Sequence, residues 1–155
     1  MDTEVAFREL IQEHSERTGF EMPLLLENYL ALLLESRLTD VAIIPEPSFA
    51  ECWLELNQKN NKLGLKHFGD QCLFFSSLLP EWGTRRGLTP RYYAQLGSSS
   101  YQSYAHYCGD LRFNQLAMWF EPLQRFLASM VQQGQGREIR DLYLFELNKR
   151  SGQLK

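Results

Sequence analysis

The sequence predicts an all-α fold, a single-domain bundle of six to eight helices with orthogonal or irregular packing. The first observation behind this prediction is that apolar residues recur at spacings of three and four along nearly the whole chain. The second is that residues typical of helix caps and breaks separate these apolar stretches. The third is size, because 155 residues with 44% hydrophobic content can form one core without disulfide or metal support. We therefore expect residues 1–155 to form one helical domain.

The first two predicted helices follow each other closely. The first ends near Thr18, because Gly19 is typical of a helix end. The second begins at Pro23 and runs to about Arg37. Apolar residues cover most of its circumference: Leu24, Leu25, Leu26, Tyr29, Leu30, Leu32, Leu33 and Leu34. A helix that is apolar on nearly all sides is either central in the fold or shared with another subunit, and both interpretations stay open here.

A proline-containing segment separates the second helix from the third. Residues 39–47 are predicted to form a packed loop, because Pro45 and Pro47 disfavour helix in the residues that precede them. Ser48 and Glu51 then form a capping box, which predicts the start of the third helix.

A fourth helix is predicted from Lys62 to about Leu79. Gly69 in its interior costs about 1 kcal/mol relative to alanine. Either the helix begins only near Gly69, or a neighbouring helix packs so closely at this position that a residue without a side chain is required.

A fifth helix follows a turn-rich connector that extends from Pro80 to Gly87. Thr89 is typical of a helix cap and Pro90 of a first helical position, which predicts a helix from about Arg91 to Cys108. Residues 97–100 in this helix have very small side chains, so a neighbouring helix can approach it closely.

The last third of the chain contains two or three further helices. Gly109 and Asp110 end the fifth helix and cap the next one. An apolar stripe then continues to Met130, and Pro122 within it is predicted to kink or split the helix. Glycines at positions 134 and 136 end the stripe, and a last helix is predicted from about residue 137 to residue 149.

Charge and hydropathy argue against several classes of protein. Sixteen lysines and arginines stand against nineteen aspartates and glutamates, whereas nonspecific nucleic-acid binding requires an excess of cations. The amino terminus lacks the cationic and apolar regions of a signal peptide. The most apolar stretch, residues 24–34, is shorter than the roughly 20 residues that a membrane span requires. We therefore expect a cytoplasmic protein that binds neither nucleic acid nor membrane.

The sequence contains no recognisable pattern for metal, cofactor or catalytic chemistry. Cys52, Cys72 and Cys108 form no Cys-x-x-Cys pair, which predicts three buried thiols rather than a zinc site or a disulfide. None of the three histidines has the Glu-x-x-His spacing of a di-iron bundle. Glycine-rich phosphate loops and the Gly-x-Ser-x-Gly elbow are also missing. The sequence thus predicts no metal, no cofactor and no catalytic residue.

One group of residues is a candidate ligand site. Three arginines lie within seven residues beside the start of the fifth helix, and arginine suits carboxylate or phosphate groups. Tyrosines of that helix and one aspartate would complete an anion-binding corner with aromatic walls. The candidate residues are Asp70, Arg85, Arg86, Arg91, Tyr92, Tyr93 and Tyr101. Alternatively, the arginines are solvated or paired with Asp70 or Glu81, and the tyrosines form a hydrogen-bonded seam in the core.

Part of the chain resembles a group of uncharacterised bacterial proteins. The residues that carry the resemblance are Gly69-Asp70-x-x-Leu73-Phe74, Pro80-Glu81, Arg85-Arg86 and Tyr92-Tyr93-x-x-x-Gly97. The resemblance is confined mainly to residues 69–105. It implies a bacterial source and groups five of the candidate site residues as one unit: Asp70, Arg85, Arg86, Tyr92 and Tyr93. It implies no reaction and no ligand.

Two hypotheses of function follow from the sequence. The first is a non-enzymatic helical module that acts through protein contacts and forms a homodimer. It rests on the apolar second helix, on Trp82 and Trp119 as candidate exposed aromatics, and on the lack of a catalytic pattern. The second is a small anionic-ligand binder or enzyme that uses the arginine, tyrosine and aspartate corner. Sequence-specific DNA binding by a helix pair is a less favoured third alternative.

Overall fold

Helices account for all the regular structure in the residues that the computed structural model describes. These are residues 3–39, 49–80, 87–133, 141 and 143–145, with the side chains of residues 3, 37–39, 49, 50 and 52 excepted. Seven helices have defined bounds within these ranges: α1 (Thr3–Thr18), α2 (Leu24–Thr39), α3 (Phe49–Gln58), α4 (Lys62–Leu78), α5 (Pro90–Cys108), α6 (Leu111–Met118) and α7 (Phe120–Val131). The all-α prediction of six to eight helices is confirmed.

The chain divides into two compact units. We call residues 1–44 together with 128–155 the terminal unit, and residues 45–127 the central unit. The terminal unit contains α1 and α2, and the central unit contains α3 to α6. The boundary between the units falls within α7, after Leu127. The single domain over residues 1–155 stays a prediction.

Helix ends lie where the cap residues predict them. Gly19 and Gly109 have positive φ angles of 73° and 71° and end α1 and α5. Thr89 Oγ1 accepts a hydrogen bond from the Tyr92 amide at 3.1 Å, and Asp110 Oδ1 accepts one from the Arg112 amide at 2.9 Å. These side chains satisfy amide groups that a helix start leaves without intrahelical partners.

Two open questions of the sequence are answered within the described helices. Helix α4 continues through Gly69 without a break, so the glycine serves close packing and does not mark a helix start. The apolar stripe that contains Pro122 forms two helices, α6 and α7, which are separated at Trp119. Pro122 lies in the first turn of α7, where the lack of an amide hydrogen costs little. Helix α2 ends at Thr39, two residues beyond its predicted end.

Several predicted segments fall wholly or largely outside the described residues. They are the loop at 39–47, Ser48 of the capping box, residues 81–86 of the connector, the glycines at 134 and 136, and most of the helix at 137–149. Within that last stretch, Tyr143 and the two residues after it are described and helical.

The core of the terminal unit is built around α1 and α2, which pack against each other. Ile11 of α1 and Leu30 and Leu34 of α2 are fully buried. The Tyr143 hydroxyl donates a hydrogen bond to the Leu34 carbonyl oxygen, which ties the last described residues to α2. His14 is also buried, and its Nε2 lies 3.2 Å from the Ser129 hydroxyl oxygen.

The core of the central unit depends on close packing between α4 and α5. Gly97 of α5 has no space for a side chain, because a Cβ atom there would lie 2.5 Å from two ring carbons of Phe120 and 3.0 Å from Cβ of Cys72. The run of small residues at 97–100 therefore allows the close approach that the sequence predicts at this point.

We expect Gly97→Ala to destabilise the fold by about 1–2 kcal/mol. Overpacking against Phe120 costs about 1–3 kcal/mol, and the higher helix propensity of alanine offsets up to about 1 kcal/mol of that cost. Urea denaturation followed by circular dichroism measures the change in unfolding free energy. The half-buried neighbour Ser98 provides the matched control, since Ser98→Ala should change the stability by less than about 0.5 kcal/mol. Equal stability of the wild type and Gly97→Ala would contradict the packing argument.

Stability should fall on acidification because of His14. Burial, together with the charge of Arg17, lowers the pKa of His14 below its ordinary value of 6.5. The unfolded chain then binds more protons than the folded chain just below pH 6.5, so the free energy of unfolding decreases as the pH drops through this window. Above pH 6.5 the His14 imidazole is neutral in both the folded and the unfolded chain, so it no longer lowers the free energy of unfolding.

The measurement is the urea midpoint at about pH 7.5 and about pH 5.5. His14→Gln should lose less stability between these values than the wild type, since glutamine stays uncharged and can still bond Ser129. His67→Gln, at an exposed position, should behave as the wild type does. An equal loss in the wild type and His14→Gln would show that His14 is not responsible.

Candidate ligand-binding site

The centre of the candidate site is a buried pair of polar residues in the central unit. The Tyr101 hydroxyl of α5 donates a hydrogen bond to Asp70 Oδ1 of α4, with 2.7 Å between the oxygens. Asp70 is 5% exposed and Tyr101 is fully buried. A carboxylate taken from water loses solvation free energy unless it is hydrogen-bonded, so this bond joins α4 to α5 and also satisfies Asp70.

Glycine and aromatic residues build the surroundings of this pair. A Cβ atom on Gly69 would lie 2.7 Å from Cε1 of Tyr101, so the glycine lets the tyrosine ring lie against the α4 backbone. On its other sides the ring has Phe113 and Phe120 as neighbours, each with a centroid 6.0 Å away. The apolar surroundings strengthen the hydrogen bond and orient the hydroxyl.

A second buried polar contact, which the sequence analysis missed, joins three helices. Gln124 of α7 donates hydrogen bonds from Nε2 to the Ser76 hydroxyl of α4 at 2.8 Å and to the Pro90 carbonyl of α5 at 3.0 Å. Gln124 is four residues after Phe120 and three before Leu127, both of which belong to the apolar stripe. The sequence signal that could have revealed this contact is a polar residue at a core position of the helical apolar stripe.

The other predicted site residues that the structure describes differ from one another in burial. Tyr93 is buried, Tyr92 is half-buried, and Arg91 is exposed, so Arg91 does not share the buried environment of Asp70 and Tyr101. Arg85 and Arg86 lie outside the described residues. Among the candidate residues, Asp70 and Tyr101 are in direct contact.

The start of α5 offers an anion few backbone donors. Pro90 has no amide hydrogen, and the Tyr92 amide is bonded to the Thr89 side chain. The Tyr93 amide donates to the Thr89 carbonyl oxygen at 3.1 Å. Because these donors are already used within the helix, the helix start adds little to an arginine-based anion site.

The cysteine prediction is wrong for one of the two described thiols. Cys72 is buried in the central core, whereas Cys108 is exposed at the last position of α5. The end of a helix faces solvent here because Gly109 turns the chain immediately after it. Among the residues that the structure describes, no group of three or more histidine, cysteine, aspartate or glutamate residues is placed to hold a metal ion.

The buried geometry indicates what the Asp70 pair can do. Both side chains are buried, so their hydrogen bond is suited to holding α4 against α5. This corresponds to the alternative in which the tyrosines form a hydrogen-bonded seam in the core. The ligand interpretation of the corner stays a prediction.

Comparison of the chain with protein-family models, with curated proteins and with solved structures found no match. The resemblance of residues 69–105 to a bacterial family therefore stays a prediction. No helix within the described ranges combines the length and the hydropathy that crossing a membrane requires.

We expect Tyr101→Phe to lower the unfolding free energy by about 1–3 kcal/mol. The substitution keeps the ring but removes the donor to Asp70, which leaves a buried carboxylate oxygen short of a hydrogen bond. Tyr104→Phe is the matched control, because Tyr104 is half-buried on the same helix. Its ring also packs against Phe113, with 4.6 Å between the ring centroids. Urea denaturation distinguishes the two variants, and equal stabilities would argue against a structural role of the Asp70 bond.

Proposed function

We propose that the chain is a non-enzymatic helical module that acts through protein contacts, with a second copy of itself as the partner. The observation that carries the proposal is the solvent side of α2. Leu24, Leu25 and Leu32 on this side are 65%, 44% and 45% exposed. We call these three residues the leucine face. Apolar surface grouped on one side of a helix is typical of a contact with another protein.

Helical spacing places the leucine face on one side of α2. Leu25 and Leu32 are seven residues apart, close to two full turns, and Leu24 is adjacent to Leu25. The opposite side carries Leu30 and Leu34, which are fully buried in the terminal unit. The two interpretations of this helix thus apply to two different sides: one side is core, and the other is available to another subunit.

The exposed area predicts a weak contact. Complete burial of a leucine stabilises by about 1.5–3 kcal/mol, so three half-exposed leucines on each of two copies contribute roughly 5–9 kcal/mol. Association costs about 4–15 kcal/mol in translational, rotational and side-chain freedom. The two terms nearly cancel, and we therefore expect a dimer that forms at high protein concentration and dissociates on dilution.

The anionic-ligand alternative receives less support from the described residues. Arg91 is exposed whereas Asp70 and Tyr101 are buried, so Arg91 lies in a different environment from the Asp70 and Tyr101 pair. Of the two tryptophans considered as contact residues, Trp119 is half-buried and Trp82 lies outside the described residues. The leucine face is the stronger basis for a function.

Leu32→Glu should shift the protein towards monomer. The glutamate places a charge within the leucine face, where dimer formation would remove it from water. Light scattering coupled to gel filtration, over a concentration series, measures the mass. Leu54→Glu is the matched control, because Leu54 is 50% exposed on α3 in the central unit.

Circular dichroism of both variants should match that of the wild type, since both positions face solvent. Self-association that Leu32→Glu abolishes and Leu54→Glu retains would support the proposal. A wild-type chain that stays monomeric at the highest attainable concentration would overturn it.

A further inference from the structure

The leucine face lies in a strongly acidic part of the chain. Residues 3–39 contain seven glutamates and three arginines. Two of these arginines are already paired within α1: Arg8 lies 2.7 Å from Glu4, and Arg17 lies 3.4 Å from Glu13. If two copies met with their leucine faces against each other, the excess negative charge of one would oppose that of the other.

The edge of the leucine face is itself acidic. Glu35 is three residues after Leu32 and eleven after Leu24, close to three full turns, so it lies on the same side of α2. Glu27, on the neighbouring side, is also partly exposed. Neither glutamate has an ion-pair partner among the described residues. A matching surface should therefore combine an apolar centre with positive charge.

The central unit carries a surface of this composition. Between Glu55 and Asp70 the chain has three lysines and one histidine but no acidic residue. Leu63, in the first turn of α4, is 57% exposed. Lys62 precedes it and Lys66 follows it by three residues, so all three lie on adjoining sides of α4. We call Lys62, Leu63 and Lys66 the basic face.

The lysines of the basic face form no ion pair within the described residues, although Lys66, after Arg112, contributes to lowering the pKa of Asp110. Neither Lys62 nor Lys66 is within 4 Å of a carboxylate oxygen in the described part of the chain. The Lys66 ammonium lies 5.9 Å from the centroid of the Phe113 ring, and the Lys66 side chain is half-buried. By contrast, Lys59 just before α4 is bound to Glu55 at 2.7 Å.

We propose that the leucine face of one copy binds the basic face of a second copy. The inference rests on the proposed function and specifies which two surfaces meet. Glu35 would approach Lys62 or Lys66 while the leucines bury Leu63. Such a contact joins two different surfaces. A two-fold arrangement closes it into a dimer with two identical contacts, other rotations that close give rings, and the remaining arrangements continue into longer chains.

Single variants test whether the basic face takes part. Leu63→Glu and Lys66→Glu should each weaken self-association by at least about fivefold, which corresponds to about 1 kcal/mol. The matched controls are Leu54→Glu for the exposed leucine and Arg125→Glu for the charge reversal, both on the central unit. Sedimentation velocity at several concentrations gives the dissociation constants. Association of the wild type should also weaken as salt is raised from about 50 mM to about 500 mM.

A mixing experiment tests the pairing itself. Leu32→Glu alone lacks a working leucine face, and Leu63→Glu alone lacks a working basic face. In an equimolar mixture one intact contact can form, between the leucine face of the Leu63→Glu copy and the basic face of the Leu32→Glu copy. With a fluorescent label on Leu32→Glu, the mixture should show labelled complexes that neither variant forms alone.

The outcomes separate this inference from the proposed function. Labelled dimers in the mixture support the pairing of the two faces. Wild-type association that Leu63→Glu and Lys66→Glu leave unchanged would overturn the pairing but keep the proposed self-association. A wild type that stays monomeric throughout would overturn both.

Discussion

The close approach of α4 and α5 is the constraint on which the central unit depends. Two glycines make it possible, because Gly69 admits the Tyr101 ring of α5 against α4 and Gly97 leaves room on α5 for Cys72 of α4. Once the helices are this close, the Tyr101 hydroxyl reaches Asp70. The buried hydrogen bond is therefore a consequence of the glycine packing, and it in turn restricts the helices to one register.

Helix boundaries could be predicted from the sequence because their causes are local. Thr89 and Asp110 cap helices with their own side chains, and Gly109 adopts the left-handed conformation that ends α5. Each of these effects involves residues within four positions of one another, so the local sequence is enough to predict where the helix begins or ends. The all-α class follows from the same kind of local pattern together with apolar spacing, whereas that pattern left open whether α4 continues through Gly69.

Contacts between distant parts of the chain were predicted only in part. Asp70 and the tyrosines of α5 were grouped in one candidate site, and the structure shows a hydrogen bond from Tyr101 to Asp70. Gln124 was missed, since its partner Ser76 lies 48 positions away and no local pattern pairs them. The exposure of Cys108 was missed for a related reason: a thiol at a helix end is buried only if another element covers it.

The fit between Gly97 and Phe120 links the evolution of two positions that are 23 residues apart in the sequence. A chain of the same fold that acquires alanine in place of Gly97 regains its packing only if a smaller side chain replaces Phe120. The reverse order of substitutions first leaves a cavity, which the later alanine then fills. Covariation between these two positions is thus a mark by which relatives of this chain can be recognised even where the rest of their sequences has diverged.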